Sequence, residues 1–177
     1  MKATGIVRRI DELGRIVIPK EIRKTLRLRE GENLEIYTDS DDKIILKKYS
    51  LMNKLEDFSQ VFTDSIYAFL KHNIIITDTD KIIAASGELK KEFLGNKISD
   101  DLENHIMRRD TMLESFQKEI KITDDDAYQG SYAMSTIVAS GDAVGLVFIF
   151  SEQDRLSEVE KKIAEITANF LAKHLEN

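Results

Sequence analysis

Apolar and polar positions alternate in short runs over the first fifty or so residues, recur every three or four positions over the next twenty, alternate again, and end on a second helical stripe. In the opening stretch, Gly5-Ile6-Val7-Arg8-Arg9-Ile10 and Arg15-Ile16-Val17-Ile18 read as two short strands about the turn Asp11-Glu12-Leu13-Gly14, where Gly14 is free to take positive φ. Pro19 is the chain's one proline. It ends the second strand and suits the start of a helix, because its fixed φ is helical and the N–H it lacks would have no partner there. The helix is predicted over 20–26, followed by a turn at Glu30-Gly31-Glu32-Asn33 and two more strands, 34–38 and 43–47, joined at Asp39-Ser40-Asp41-Asp42. Four short strands and a two-turn helix bury little core alone, so the pattern calls for a second chain that shares strands.

After Tyr49 the period changes. Leu51, Leu55, Phe58, Phe62, Ile66 and Phe69 recur at steps of 4, 3, 4, 4 and 3, the stripe of an amphipathic helix that runs to about Lys71. Leu156, Val159, Ile163, Ile166 and Phe170 step 3, 4, 3 and 4 in a closing helix suited to a helical bundle. Between the helices, 73–78 and 81–86 form a hairpin, 99–113 reads as helical, and 116–123, 131–139 and 143–151 read as antiparallel strands. The expected domains are therefore 1–50, a linking and dimerising helix over 51–72, and 73–177, with an α+β fold class overall.

Composition sharpens this division. The net charge is −6, yet residues 1–29 carry nine Lys or Arg against three acids, a local balance of +6 that leaves −12 for the remainder. A basic module that meets an anion, carried by an acidic module with another task, fits that asymmetry. The chain has no cysteine, which removes disulfides, thiolate metal sites and thiol chemistry, and three scattered histidines (His72, His105, His174) lack ligand spacing. No metal and no cofactor is expected. No apolar run approaches the roughly 18 residues of a spanning helix, and the sequence opens without a signal peptide, so a cytoplasmic protein is expected.

The run from Thr4 to Tyr49, with its glycine-closed strand pair (Gly5, Gly14), its Arg-Ile-Val-Ile-Pro element (Arg15 to Pro19), its short basic helix and a closing hairpin that ends Ile-Leu-Lys-Lys-Tyr, resembles the AbrB transition-state regulators. With an acidic domain behind it, the whole chain resembles the stage V sporulation protein T family. The resemblance implies an N-terminal swapped-hairpin β-barrel in which two chains interleave, followed by a GAF-like domain. It further implies a regulator of sporulation genes in the forespore, bound to double-stranded DNA as a homodimer and assembled through its C-terminal domain into a homotetramer.

The same resemblance places DNA contacts at Arg8, Arg15, Arg23 and Lys24. Arg9 is counted with the basic surface although strand alternation turns it away from Arg8. Lys24 stands where the family has an arginine, and a lysine is a point charge rather than a bidentate fork, which weakens base readout there. Arg8 and Arg15 also have Asp11, Glu12 and Glu21 as candidate ion-pair partners that would pin them. In the second domain, Ser86, Gly87 and Lys91 are the candidate lining of a small-ligand pocket against the sheet, the competing reading being an ordinary turn after a strand. No enzyme is expected: there is no nucleophile elbow, and Asp124-Asp125-Asp126 lacks the glycine and terminal glutamate of a calcium loop. The alternative function is an antitoxin-like or scaffold dimer that holds a protein partner. Such toxin-binding relatives carry a disordered acidic tail, whereas this chain has a patterned domain.

Overall fold

The computed structural model describes residues 4–40, 42–50, 52, 55–125 and 127–176. Lys2 of the basic segment, Asp41 of the turn, Leu51 of the first stripe and Asp126 of the acidic run lie outside them. The chain divides into two compact units, 1–49 and 50–177.

In the first unit, helix α1 spans Lys20–Thr25, with Pro19 at its N-cap (φ −58°, ψ 147°), and strands β1 (Leu34–Asp39) and β2 (Lys43–Lys48) pair antiparallel. The strands expected over 5–10 and 15–18 are absent as such: among the described residues neither segment joins a ladder. Both run extended about one turn, closed by Asp11 N donating to Arg15 O at 3.0 Å and Gly14 N donating to Asp11 O at 2.9 Å. A strand needs hydrogen-bonding neighbours, and β1 and β2 pair only with each other in this chain. Among the described residues no large apolar side chain of this unit is buried; thirteen are exposed, from Ile6 and Val7 (86% exposed) through Ile44 to Tyr49.

The second unit is closed. A five-stranded antiparallel sheet has the order β4-β3-β7-β6-β5, from β3 (Asn73–Thr77), β4 (Ile82–Ser86), β5 (Thr111–Lys121), β6 (Ala127–Ala139) and β7 (Asp142–Ser151). Strand alternation sorts its side chains onto two faces. Ile74, Ile76, Val147 and Ile149 meet helices α2 (Glu56–Leu70) and α5 (Glu158–Glu176), while Ile75, Leu146, Phe148 and Phe150 meet α3 (Lys90–Phe93) and α4 (Asp100–Arg108).

Helix α4 is shorter than the expected 99–113. Ser99 caps its start through the Leu102 N–H, and Arg109, at φ +59°, ends it, so that β5 begins at Thr111. Helix α3 falls in a stretch expected as loop. The two apolar stripes divide: Leu55, Phe58 and Ile66 of the first and Leu156 and Ile163 of the second pack onto the core against the sheet. Ser59 and Thr63 of α2, and Ala164, Thr167, Ala168, Leu171 and Ala172 of α5, lie buried beside them, the small side chains letting a helix approach closely. Phe69 (91% exposed), Val61, Val159, Ile166 and Phe170 face outward, and Phe58, Phe62, Phe170 and His174 stack between the two helices at ring separations of 5.1–6.4 Å.

Candidate nucleic-acid interface

The basic side chains of the first unit stand on two supports. Arg8, Arg9 and Arg15 lie on the extended segments either side of the Asp11–Gly14 turn, and Arg23 and Lys24 occupy the last turn of α1, where cations also suit the helix dipole. All five are exposed. Arg8 donates from Nη1 to its neighbour's carbonyl, Val7 O, at 3.4 Å. Among the described residues no acidic side chain pairs with Arg8, Arg9, Arg23 or Lys24, so their charge is presented to solvent.

Arg15 differs. Its Nε donates to Asp11 Oδ2 at 2.7 Å, and its backbone N donates to Asp11 Oδ1 at 2.8 Å. Asp11 Oδ1 also accepts from Leu13 N at 3.0 Å. The Arg15 N–H, then its guanidinium, hold the Asp11 carboxyl below the usual aspartate range. Of the three acids considered as partners, Asp11 is the one that pairs with Arg15. Behind these residues, an apolar groove of about 500 Å³ is lined by Ile6, Ile16, Pro19, Ile22, Leu34 and Leu46 among others, with Arg8, Lys47 and Lys48 also on its lining.

The ligand pocket expected in the second unit does not gather. Ser86 follows Ala84 onto the face of β4 that meets α2, so its hydroxyl is taken by Thr63 Oγ1 at 2.9 Å and by the Asp64 carboxylate. That hydroxyl, with Lys90 beside it, lowers the Asp64 pKa. Gly87, at φ +126°, lies against Asn73, where a Cβ would meet Asn73 Oδ1 at 2.2 Å. Lys91 is exposed on α3. The opposite face of the sheet is packed with Phe93, Ile98, Tyr132, Phe148 and Phe150. Gln60 of α2 went unnoticed in the sequence. Its amide donates to Ala85 O at 2.9 Å and accepts from Ala85 N at 3.3 Å, covering the free edge of β4 across 25 residues that no local pattern could link.

A family model described as Stage V sporulation protein T C-terminal, transcription factor, matches residues 54–176. The chain is 49% identical over 177 residues to stage V sporulation protein T of Bacillus subtilis, with 99% of each covered. The chain belongs to the stage V sporulation protein T family. As a member of that family it is a transcription regulator of sporulation, with an AbrB-type unit ahead of the family's C-terminal domain. Over 49 residues, the length of its first unit, it is 67% identical to the transition state regulatory protein AbrB of Bacillus subtilis, covering 28% of this chain and 50% of that protein. A second model, described as Antidote-toxin recognition MazE, bacterial antitoxin, matches residues 7–52.

Two solved structures share the fold of the rest. One is the phycoerythrobilin-bound GAF domain of a cyanobacterial phytochrome (16% identity, 69% of this chain and 86% of that chain, TM-score 0.51). The other is a type II free methionine-R-sulfoxide reductase of Thermoplasma acidophilum (14% identity, 71% and 95%, TM-score 0.55). At these identities the likeness is one of fold alone.

Proposed function

We propose that two copies of the first unit complete one barrel and bind double-stranded DNA through Arg8, Arg15, Arg23 and Lys24, with Arg9 at the margin. The observation that carries this reading is a unit of 49 residues with, among the described residues, thirteen exposed large apolar side chains, no buried one, and Arg8, Arg9, Arg23 and Lys24 exposed. Each such side chain withdrawn from water contributes about 1.5–3 kcal/mol, so sharing strands with a second copy is strongly favoured. The division into 1–50, a helix over 51–72 and a regulatory domain over 73–177 is kept within this proposal. The outward apolar faces of α2 and α5 pair the second units, so that the assembly is a tetramer with two barrels. The second unit acts without catalysis, metal or cofactor, and the protein works in the cytoplasm of the forespore. Ser86, bonded to Thr63 and Asp64, and Gly87, set against Asn73, serve a structural role on this reading, which leaves Lys91 as the exposed member of the set.

The test is a salt titration of DNA affinity. Four contacts from each of two chains give a log-log slope approaching about −7, at about 0.9 per phosphate. Arg23→Ala flattens it by about two units, one per protomer. A slope near zero overturns the contact assignment. The match to the antitoxin model over 7–52 supports a second reading, a barrel that holds a protein partner. Under it, DNA affinity would be negligible at physiological salt.

A further inference from the structure

Asp11 makes more bonds than any other acid in the first unit's turn. Its two carboxylate oxygens accept from Leu13 N, Arg15 N and Arg15 Nε, and its own N–H donates to Arg15 O. Gly14, at φ +75°, supplies the reversal that brings residue 15 back to residue 11, and its N–H donates to Asp11 O. The charged pair itself is open to water, with side chains 71% (Arg15) and 42% (Asp11) exposed, and an ion pair so exposed contributes little to stability. A carboxylate beside a DNA-binding arginine also repels the phosphate backbone. Closing the turn accounts for the bonds to Leu13 N and Arg15 N; the bond to Arg15 Nε needs a reason other than stability or attraction.

The reason lies in which edge of the guanidinium is taken. Asp11 holds Nε, and among the described residues the two terminal nitrogens of Arg15 have no other partner. Those nitrogens form the fork that grips a guanine edge or a phosphate bidentately. An arginine loses much rotamer entropy on binding unless it is ordered beforehand. We infer that Asp11 is a positioning residue for DNA readout, holding Arg15 by its Nε edge so that its terminal fork is ordered before DNA arrives. This rests on the reading that Arg15 touches DNA, and the test separates the two.

Asp11→Asn keeps an oxygen to accept from Leu13 N and Arg15 N but puts an N–H donor or a neutral oxygen opposite Arg15 Nε. Affinity is measured for the full-length chain on a duplex selected by the wild type from a randomised pool, and on poly(dI-dC) as non-specific DNA. The expected result is a loss of about 3- to 10-fold per protomer, the size of one side chain's ordering cost, hence about 10- to 100-fold per barrel on the selected duplex, with binding to poly(dI-dC) unchanged or tightened because a negative charge is gone. In an Arg15→Ala background, Asp11→Asn then has no further effect on the selected duplex. If Asp11→Asn tightens or leaves unchanged the selected-duplex affinity while Arg15→Ala weakens it, the positioning role is overturned and the Arg15 contact stands. If Arg15→Ala changes nothing, the contact itself fails. If the two substitutions weaken binding independently, Asp11 acts through another group and the inference fails. A readout that needs no variant is the Arg15 Nε–H signal in NMR of the free wild type. Slow exchange and high order relative to Arg8 and Arg23 support the inference, and equal mobility contradicts it.

Discussion

The two units of this chain solve the problem of core formation in opposite ways. The second unit, 128 residues, buries both faces of its sheet; among the described residues eight of its large apolar side chains are exposed, and five of these lie on α2 and α5. The first, 49 residues, buries none of its described large apolar side chains and exposes thirteen. Size alone accounts for much of this, because a chain of about 50 residues has too little interior to enclose a sheet on both sides. The difference teaches that one unit is a finished domain with an outward apolar face, and the other leaves its apolar side chains to be covered, as the proposed two-copy barrel would do.

The sharpest way to break that contrast is to treat one substitution in each unit. Phe148 is fully buried in the second unit, and Phe148→Ala should cost about 3–5 kcal/mol and lower the melting of that unit without touching the first, as read by calorimetry. Val7 is 86% exposed in the single chain, so Val7→Asp should be nearly neutral if the first unit stood alone. With a second copy covering it, the same change should cost about 2–3 kcal/mol and make the first unit's melting depend on protein concentration.

A smaller effect separates folding from assembly in the second unit. Phe69→Asp with Ile166→Asp should leave the protomer's stability within about 0.5 kcal/mol, since both side chains are exposed, while light scattering shows the mass of the assembly halved. An unchanged mass would remove α2 and α5 as the assembly face. The smallest effect concerns Asp78, buried in the second unit, whose pKa is raised chiefly by burial against the opposing pull of the Asp80 and Lys81 N–H groups. A raised carboxylate pKa means that the folded state binds the proton more tightly than the unfolded chain. Stability from this group is therefore highest at low pH and declines as pH rises from about 3.8 through the folded pKa. Asp78→Asn should remove that decline and raise the second unit's stability at neutral pH, the smallest effect of the set, checked by denaturant titration at several pH values.

The sequence was most legible where periodicity and burial agree. The period-two runs 73–78, 81–86 and 143–151 became strands because both of their faces are buried, and Pro19 marked the start of α1 because its ring fixes the backbone locally. The two stripes marked the helices correctly and left their packing face open: Phe58, Ile66 and Ile163 turn in onto the core, while Phe69, Val159 and Ile166 face outward. Apolarity reports what avoids water and gave no sign that the sheet would also take Ser59, Thr63 and the alanines of α5, which are small enough to approach closely. The break at Arg109 had no glycine or proline to announce it. In the basic unit, the arginines could be named from the sequence. The grip of Asp11 on Arg15 depends on the turn closing, and the contact of Ser86 with α2 depends on strand alternation after a bulge near Ile76.

The central claim is that residues 5–18 of the first unit find their strand partners in a second copy. Isotope-filtered NMR on a mixture of labelled and unlabelled protein tests it most directly. The account predicts intermolecular contacts from Ile6, Val7, Ile16 and Val17 of one copy to the other, together with slow amide exchange over 5–10 and 15–18. Contacts confined to one chain, with fast exchange over both segments, would contradict it.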